Sequence, residues 1–329
     1  MNTKGFHASW VVVLLAASWA RGGELPPSGR VEFLGTIDGP KDISAIGAVG
    51  DLLVIGSDEV PDKVQLLRRL DPDRYQISGK VKLRDGNKEI DIEGIACDGK
   101  TVYVIGSHSY KRHNLKDGRT HEENREQLTE TELEKSRDAL YRFKFDSGGN
   151  ASDPEKINLR PIIEDDKFLG AFSKIPSKEN GVDIEGIAAD GQWLYVGFRG
   201  PMLDNTFVPV LRVKFDSPQA DHELRFVALG GRGIRDLARV EDGFLVLAGP
   251  VGDGPGSFQL YHWDGEDVVP GTDRPAGKVT LLGDLAPEPH DGKAEALLVV
   301  SENGPVYNLI VVYDGVTNGG AARFHVTKP

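Results

Sequence analysis

Two acidic pairs stand out by residue type and spacing. They are Asp91 and Glu93 in Asp91-Ile-Glu-Gly-Ile-Ala96, and Asp183 and Glu185 in Asp183-Ile-Glu-Gly-Ile-Ala188. Residues two apart on a strand share a face, so each pair presents two carboxylates to one side. Carboxylates gathered in this way repel one another unless a cation intervenes. Ca2+, which takes oxygen ligands at about 2.3–2.6 Å, answers that need, with Asp91, Glu93, Asp183 and Glu185 as its ligands. Arg112, Arg199 and Arg235 answer it as salt-bridge partners instead. In that case each Asp accepts backbone N–H bonds at a turn and each Glu locks neighbouring repeats together. Both readings stand at this point.

The segments after each acidic motif carry further chemistry: Gly106-Ser-His-Ser-Tyr-Lys-Arg112 and Gly197-Phe-Arg-Gly-Pro201. His108 has the side chain for general acid or base work near neutral pH, with Glu93 and Glu185 as further catalytic candidates. Ser107, Arg112, Arg199 and Arg235 are candidates to bind an anionic substrate. The one cysteine, Cys97, lies in the apolar run Ile95-Ala-Cys97 and reads as a buried, inert thiol. One cysteine excludes an intramolecular disulfide and a multi-cysteine metal site. No G-x-S-x-G elbow, H-E-x-x-H, G-x-G-x-x-G or P-loop occurs.

The elements that must position these residues recur. Each acidic motif leads into an apolar strand, Thr101–Gly106 and Trp193–Gly197, and looser copies follow Asp42, Gly233 and Ala294. A third, alternating strand recurs at Leu66–Asp71, Leu140–Asp146, Leu211–Asp216 and Leu260–Asp264. Four short antiparallel strands repeating every ~45–60 residues are the signature of an all-β propeller. Five units fit between residues 42 and 326, or six if Leu159–Ile175 holds strands of its own. The strand Val31–Ile37 is expected to complete the last blade. In an up-and-down blade the start of strand one and the end of strand two share an edge, so all the motifs above should meet at one channel mouth. An insertion, 113–139, interrupts blade two; within it Thr120–Ser136 reads as an exposed polar helix able to cover that mouth.

The 40 Gly and 19 Pro in 329 residues mark a turn-rich chain, and its ordinary hydrophobic content excludes wholesale disorder. A net charge of −12 argues against nucleic-acid binding and against adsorption to anionic lipid. Lys4, the apolar block Trp10–Ala17 and Ser18-Trp-Ala20 read as a cleaved secretory signal over residues 1–20, with the propeller over 30–329. The block is too short to span a membrane, so the expected product is a soluble, monomeric protein, secreted or periplasmic.

The repeated Asp-Ile-Glu-Gly-Ile-Ala, with Ile105-Gly-Ser-His-Ser109 and Gly197-Phe-Arg-Gly-Pro201, resembles a bacterial secreted propeller family of unknown function, DUF3616. That resemblance spans nearly the whole mature chain and implies a fold without an activity. The same short motif is similar to that of the esterase-like phytase group, which implies Ca2+-assisted phosphoester chemistry at Asp91, Glu93, Asp183 and Glu185. Two functions are therefore expected. One is a metal-assisted hydrolase of a small anionic ester. The other is a non-catalytic propeller that binds a ligand or an unknown partner protein on the same face.

Overall fold

In this computed structural model, residues 22–252, 254–286 and 292–329 are described; the leader expected at 1–20 lies outside them. The alternating segments form five small antiparallel sheets around one axis. Blade 1 uses Ile43–Val49, Leu52–Ser57, Lys63–Asp71 and Arg74–Lys82. Blade 2 uses Ile92–Asp98, Thr101–Gly106, Leu140–Lys144 and Glu155–Ile157. Blade 3 runs Asp183–Asp190, Trp193–Gly200, Phe207–Lys214 and His222–Ala228. Blade 4 runs Gly233–Val240, Gly243–Gly249, Gln259–Trp263 and Val279–Leu285. Blade 5 contributes Lys293–Asn303, Val306–Asp314 and Ala322–Thr327.

The core is split into five packets, each shared by two adjacent blades. Val54 and Val64 of blade 1, for example, pack with Ile95, Val104 and Phe143 of blade 2. The packet joining blades 5 and 1 brings Ile310 and Val312 against Ile46 and Ile55. The motif glycine serves this packing: a Cβ at Gly186 would lie 2.8 Å from the Asp236 Cα of the next blade.

The blade count is five, as the repeats first indicated, and Leu159–Ile175 adds no sixth blade because it is helical: Arg160–Asp165 is an α-helix and Leu169–Phe172 a 3-10 turn. Leu159, Ile162, Ile163 and Leu169 fill the packet between blades 2 and 3. The inserted helix is shorter than expected. Thr120 caps it in a reciprocal box with Glu123, and it ends after His121–Gln127. The Thr129 hydroxyl then bonds back to the Glu126 carbonyl at 2.8 Å, and Glu132–Leu133 pairs with Tyr110–Lys111 as a small ribbon. Thr129 and Thr131 are β-branched, which favours this extended path over more helix.

Ring closure also differs in its residues. Gly29–Arg30 supplies the fourth strand of blade 5, against Ala322–Arg323. Glu32–Leu34 then crosses to blade 1 and runs parallel to Arg74–Gln76. Upstream, Glu24–Leu25 runs parallel to Asp284–Leu285 of blade 4. One N-terminal arm thus joins three consecutive blades.

Candidate functional site at the channel mouth

Near its start, each innermost strand skips one residue in its pairing with the second strand. The skipped residues are Ser44, Glu93, Glu185, Arg235 and Glu295. In blade 3 the second strand skips Arg199 as well. A β-bulge frees a residue from the ladder and re-aims its side chain, and here the freed side chains converge on one end of the channel. Below them the channel is lined by residues of all five inner strands, including Ala48, Cys97, Ala189, Ala238 and Val299, and encloses about 170 Å3. Burial pushes the Cys97 thiol up to about 12, in keeping with an inert lining residue.

Most of the expected carboxylates meet arginines there. Arg199 reaches Asp183 at 2.5 Å and Glu185 at 2.7 Å. Arg235 Nη1 lies 2.9 Å from Glu185 and 2.9 Å from Glu295, and its Nη2 donates to the Pro250 carbonyl at 3.0 Å. Asp91, held in the left-handed region at φ 59°, pairs with Arg137 at 2.8 Å and accepts from the Ser107 hydroxyl. The neighbouring Asp236 accepts the Leu237 and Leu297 N–H groups, each at 2.7 Å, and so latches blade 4 to blade 5. Ser44 does the same for blades 1 and 2 by donating to the Ile92 carbonyl.

Two carboxylates at this mouth stay without partners. Glu93 makes no hydrogen bond or ion pair with the described residues. Burial, then Asp91, Glu185 and Asp183, hold its carboxyl well above the usual range. Asp58 is pushed up to about 8 by burial and then by Asp91 and Asp314, and one of its oxygens is buried without a hydrogen bond. Sequence reasoning passed over Asp58, although it lies in Gly56-Ser-Asp-Glu59 at the end of a second strand. Arg137 was hidden in the insertion's charge run. Arg137, Arg199 and Arg235 thus already hold Asp91, Asp183 and Glu185, three of the four carboxylates expected as Ca2+ ligands. Among the described residues, no group of three or more His, Cys, Asp or Glu is arranged to hold a metal ion.

Two other candidates are held elsewhere. His108 (φ 50°) is fully buried. Its Nδ1 contacts the Gly106 carbonyl at 2.9 Å, and its Nε2 accepts from the Leu159 N–H at 3.3 Å. Those two bonds define one neutral tautomer, and burial lowers its pKa to about 4. Both nitrogens are spent, so His108 ties blade 2 to the following helix, where Arg160 also bonds its carbonyl and pairs with Asp138 at 2.7 Å. Arg112 grips Glu179 at 2.5 and 2.9 Å and donates to the Leu128 and Glu130 carbonyls. It fastens the insertion to the loop before blade 3 and leaves no free fork for an anion.

A family model described as "Protein of unknown function (DUF3616)" matches residues 42–325. The chain belongs to this family. Among curated proteins none matches the sequence. The solved structures it is similar to include BBS1N in complex with ARL6DN, soaked with mercury: 12% identity, 89% of this chain, 67% of that one, TM-score 0.35. They also include the RRP9 WD40 repeats, at 9% identity, 92% and 99% coverage and a TM-score of 0.42. The likeness to the esterase-like phytase group is not shown by these comparisons.

Proposed function

We propose that this DUF3616 member is a binding propeller whose channel mouth receives a small ligand bearing positive charge. The supporting observation is the unpartnered Glu93 carboxylate, set among Asp58, Asp91, Asp183 and Glu185. The arginines that could neutralise it are already committed to other carboxylates. A cation placed there relieves like-charge repulsion among groups that burial already penalises. An anion would have to displace carboxylates from Arg199 or Arg235 first.

The test is the unfolding midpoint in EDTA, then with millimolar Ca2+, and separately with an organic ammonium such as choline. A ligand selective for the folded state stabilises it by ~2.7 kcal/mol at a hundredfold excess over Kd. The expected result is an upward shift with one of these cations that is lost in Glu93→Gln. Failure of both cations to shift the midpoint overturns the reading.

A second reading is hydrolysis of a small anionic ester, favoured by the raised Glu93 carboxyl alone. A carboxyl protonated near neutral pH can act as general acid or base, and Glu93 interacts with the Arg199 charge. Turnover of a phosphoester panel that disappears in Glu93→Gln supports it; turnover retained in that variant removes it. The proposed place of action is outside the cytoplasm, as a monomer. Sequencing the N-terminus of exported protein and sizing it in solution check both points. No helix among the described residues is long and apolar enough to cross a membrane.

A further inference from the structure

A concavity of about 570 Å3 lies between blades 4 and 5. Pockets of roughly 300–1,000 Å3 with mostly apolar walls and a few placed polar groups are the usual seats of small organic ligands. Here Pro250, Phe258, Leu285 and Ala294 supply apolar wall, and Arg235 and Lys293 bring cationic groups. Asp284 also lines it, its Oδ1 accepting from Gln259 Nε2 at 2.8 Å and from the Ser257 hydroxyl at 3.2 Å.

The charges of this cavity are unequal in availability. Arg235 spends its charge on Glu185 and Glu295 and lays its guanidinium 5.9 Å from the Phe258 ring centre. Lys293 is exposed and makes no hydrogen bond or ion pair with the described residues. Its charge acts on Asp314 only at longer range. The ammonium is therefore the group a ligand can claim. The other ionic group at the cavity is the exposed Glu24, carried in by the N-terminal arm.

We infer that the space between blades 4 and 5 is a binding site for a small amphipathic organic anion, its apolar body against Phe258 and Leu285 and its acidic group at Lys293. This site does not rest on the cation reading of the mouth. Only Arg235 belongs to both, and there it serves as the wall between them.

The experiment is a fluorescence titration of the folded chain with anilinonaphthalene sulfonate and with its uncharged parent, phenylnaphthylamine. One equivalent of each probe is expected to bind. Lys293→Glu should weaken the sulfonate by about tenfold, equivalent to about 1.4 kcal/mol, and leave the uncharged probe unchanged. Glu24→Gln should not weaken either. Gly254 lines the cavity, and a Cβ there meets nothing within 4 Å. Gly254→Trp should therefore displace both probes without unfolding the chain, which circular dichroism and the melting midpoint verify. Binding at several equivalents, or sulfonate affinity untouched by both Lys293→Glu and Gly254→Trp, overturns the inference. Glu93→Gln is expected to leave these titrations unchanged, so failure here and failure at the mouth are read separately.

Discussion

Arg235 of blade 4 lies 2.9 Å from Glu185 of blade 3, so one guanidinium closes a blade boundary at the level of the channel mouth. The same nitrogen also meets Glu295 of blade 5. Three blades are joined through a single charge whose side chain is 5% exposed. Removing one partner from such a network leaves uncompensated buried charge, at a cost of about 3–5 kcal/mol.

Arg235→Met should therefore lower unfolding free energy by about that amount at pH 7.5. Part of the loss should return at pH 5, below the Glu295 carboxyl, which burial raises to about 7. Urea denaturation at the two pH values measures it. A variant as stable as wild type at pH 7.5 would contradict the network.

Asp58 gives a pH dependence with a definite sign. Its carboxyl is raised from the ordinary 3.8 to about 8 in the folded chain, so between those values the folded state holds a proton that the unfolded state has lost. Its contribution makes stability fall as pH rises from about 4 to about 8. Asp58→Asn should flatten that slope, raising the melting midpoint at pH 8 and changing it little at pH 4. An unchanged slope would return Asp58 to an ordinary solvated carboxylate.

His108 should stay neutral through the physiological range. Its ring titrates at about 4 against an ordinary 6.5, so its contribution to stability is lost as pH falls from 6.5 toward 4. An NMR titration should show no His108 shift change above pH 5.5. His108→Ala leaves the Gly106 carbonyl and the Leu159 N–H unpaired in a dry interior, costing about 1–3 kcal/mol. A midpoint near 6.5 would show instead that the ring is open to solvent.

Gly283 tests the N-terminal arm. A side chain there would press on the Gly23 carbonyl and the Leu25 side chain, where Glu24–Leu25 lies along blade 4. Gly283→Val should cost about 1–3 kcal/mol. Hydrogen exchange should rise first at Glu24–Leu25 and Val279–Leu285. Uniform exchange across the chain would argue against a local attachment.

Much of the fold was legible because turn and alternation recur with each acidic motif, and the family assignment agrees. The convergence of the motifs on one end was legible too, since it follows from up-and-down connectivity: Ser107 does reach Asp91, and Arg199 does reach Asp183. The bulges were not, because one extra residue in a strand leaves no trace in an alternating pattern. Asp91 escaped for a related reason. It precedes the strand in a left-handed conformation, so the rule that residues two apart share a face does not govern it. Composition could not say which arginine meets which carboxylate, and Arg137 was lost inside a run that reads as solvated surface. His108 looked like a loop histidine at a rim; its positive φ is a property of tertiary packing.

The arm that binds blades 4, 5 and 1 also sets the order in which the molecule can be finished. Gly29 and Arg30 leave the ribosome long before their partners Ala322 and Arg323. Until then Arg30 has no neighbour to pair with, and blade 5 does not exist to receive it. Vectorial synthesis must therefore deliver an open ring of blades with unpaired strand edges, a form exposed to edge-to-edge association. Closure waits on the meeting of residues distant in the chain and is slow for that reason.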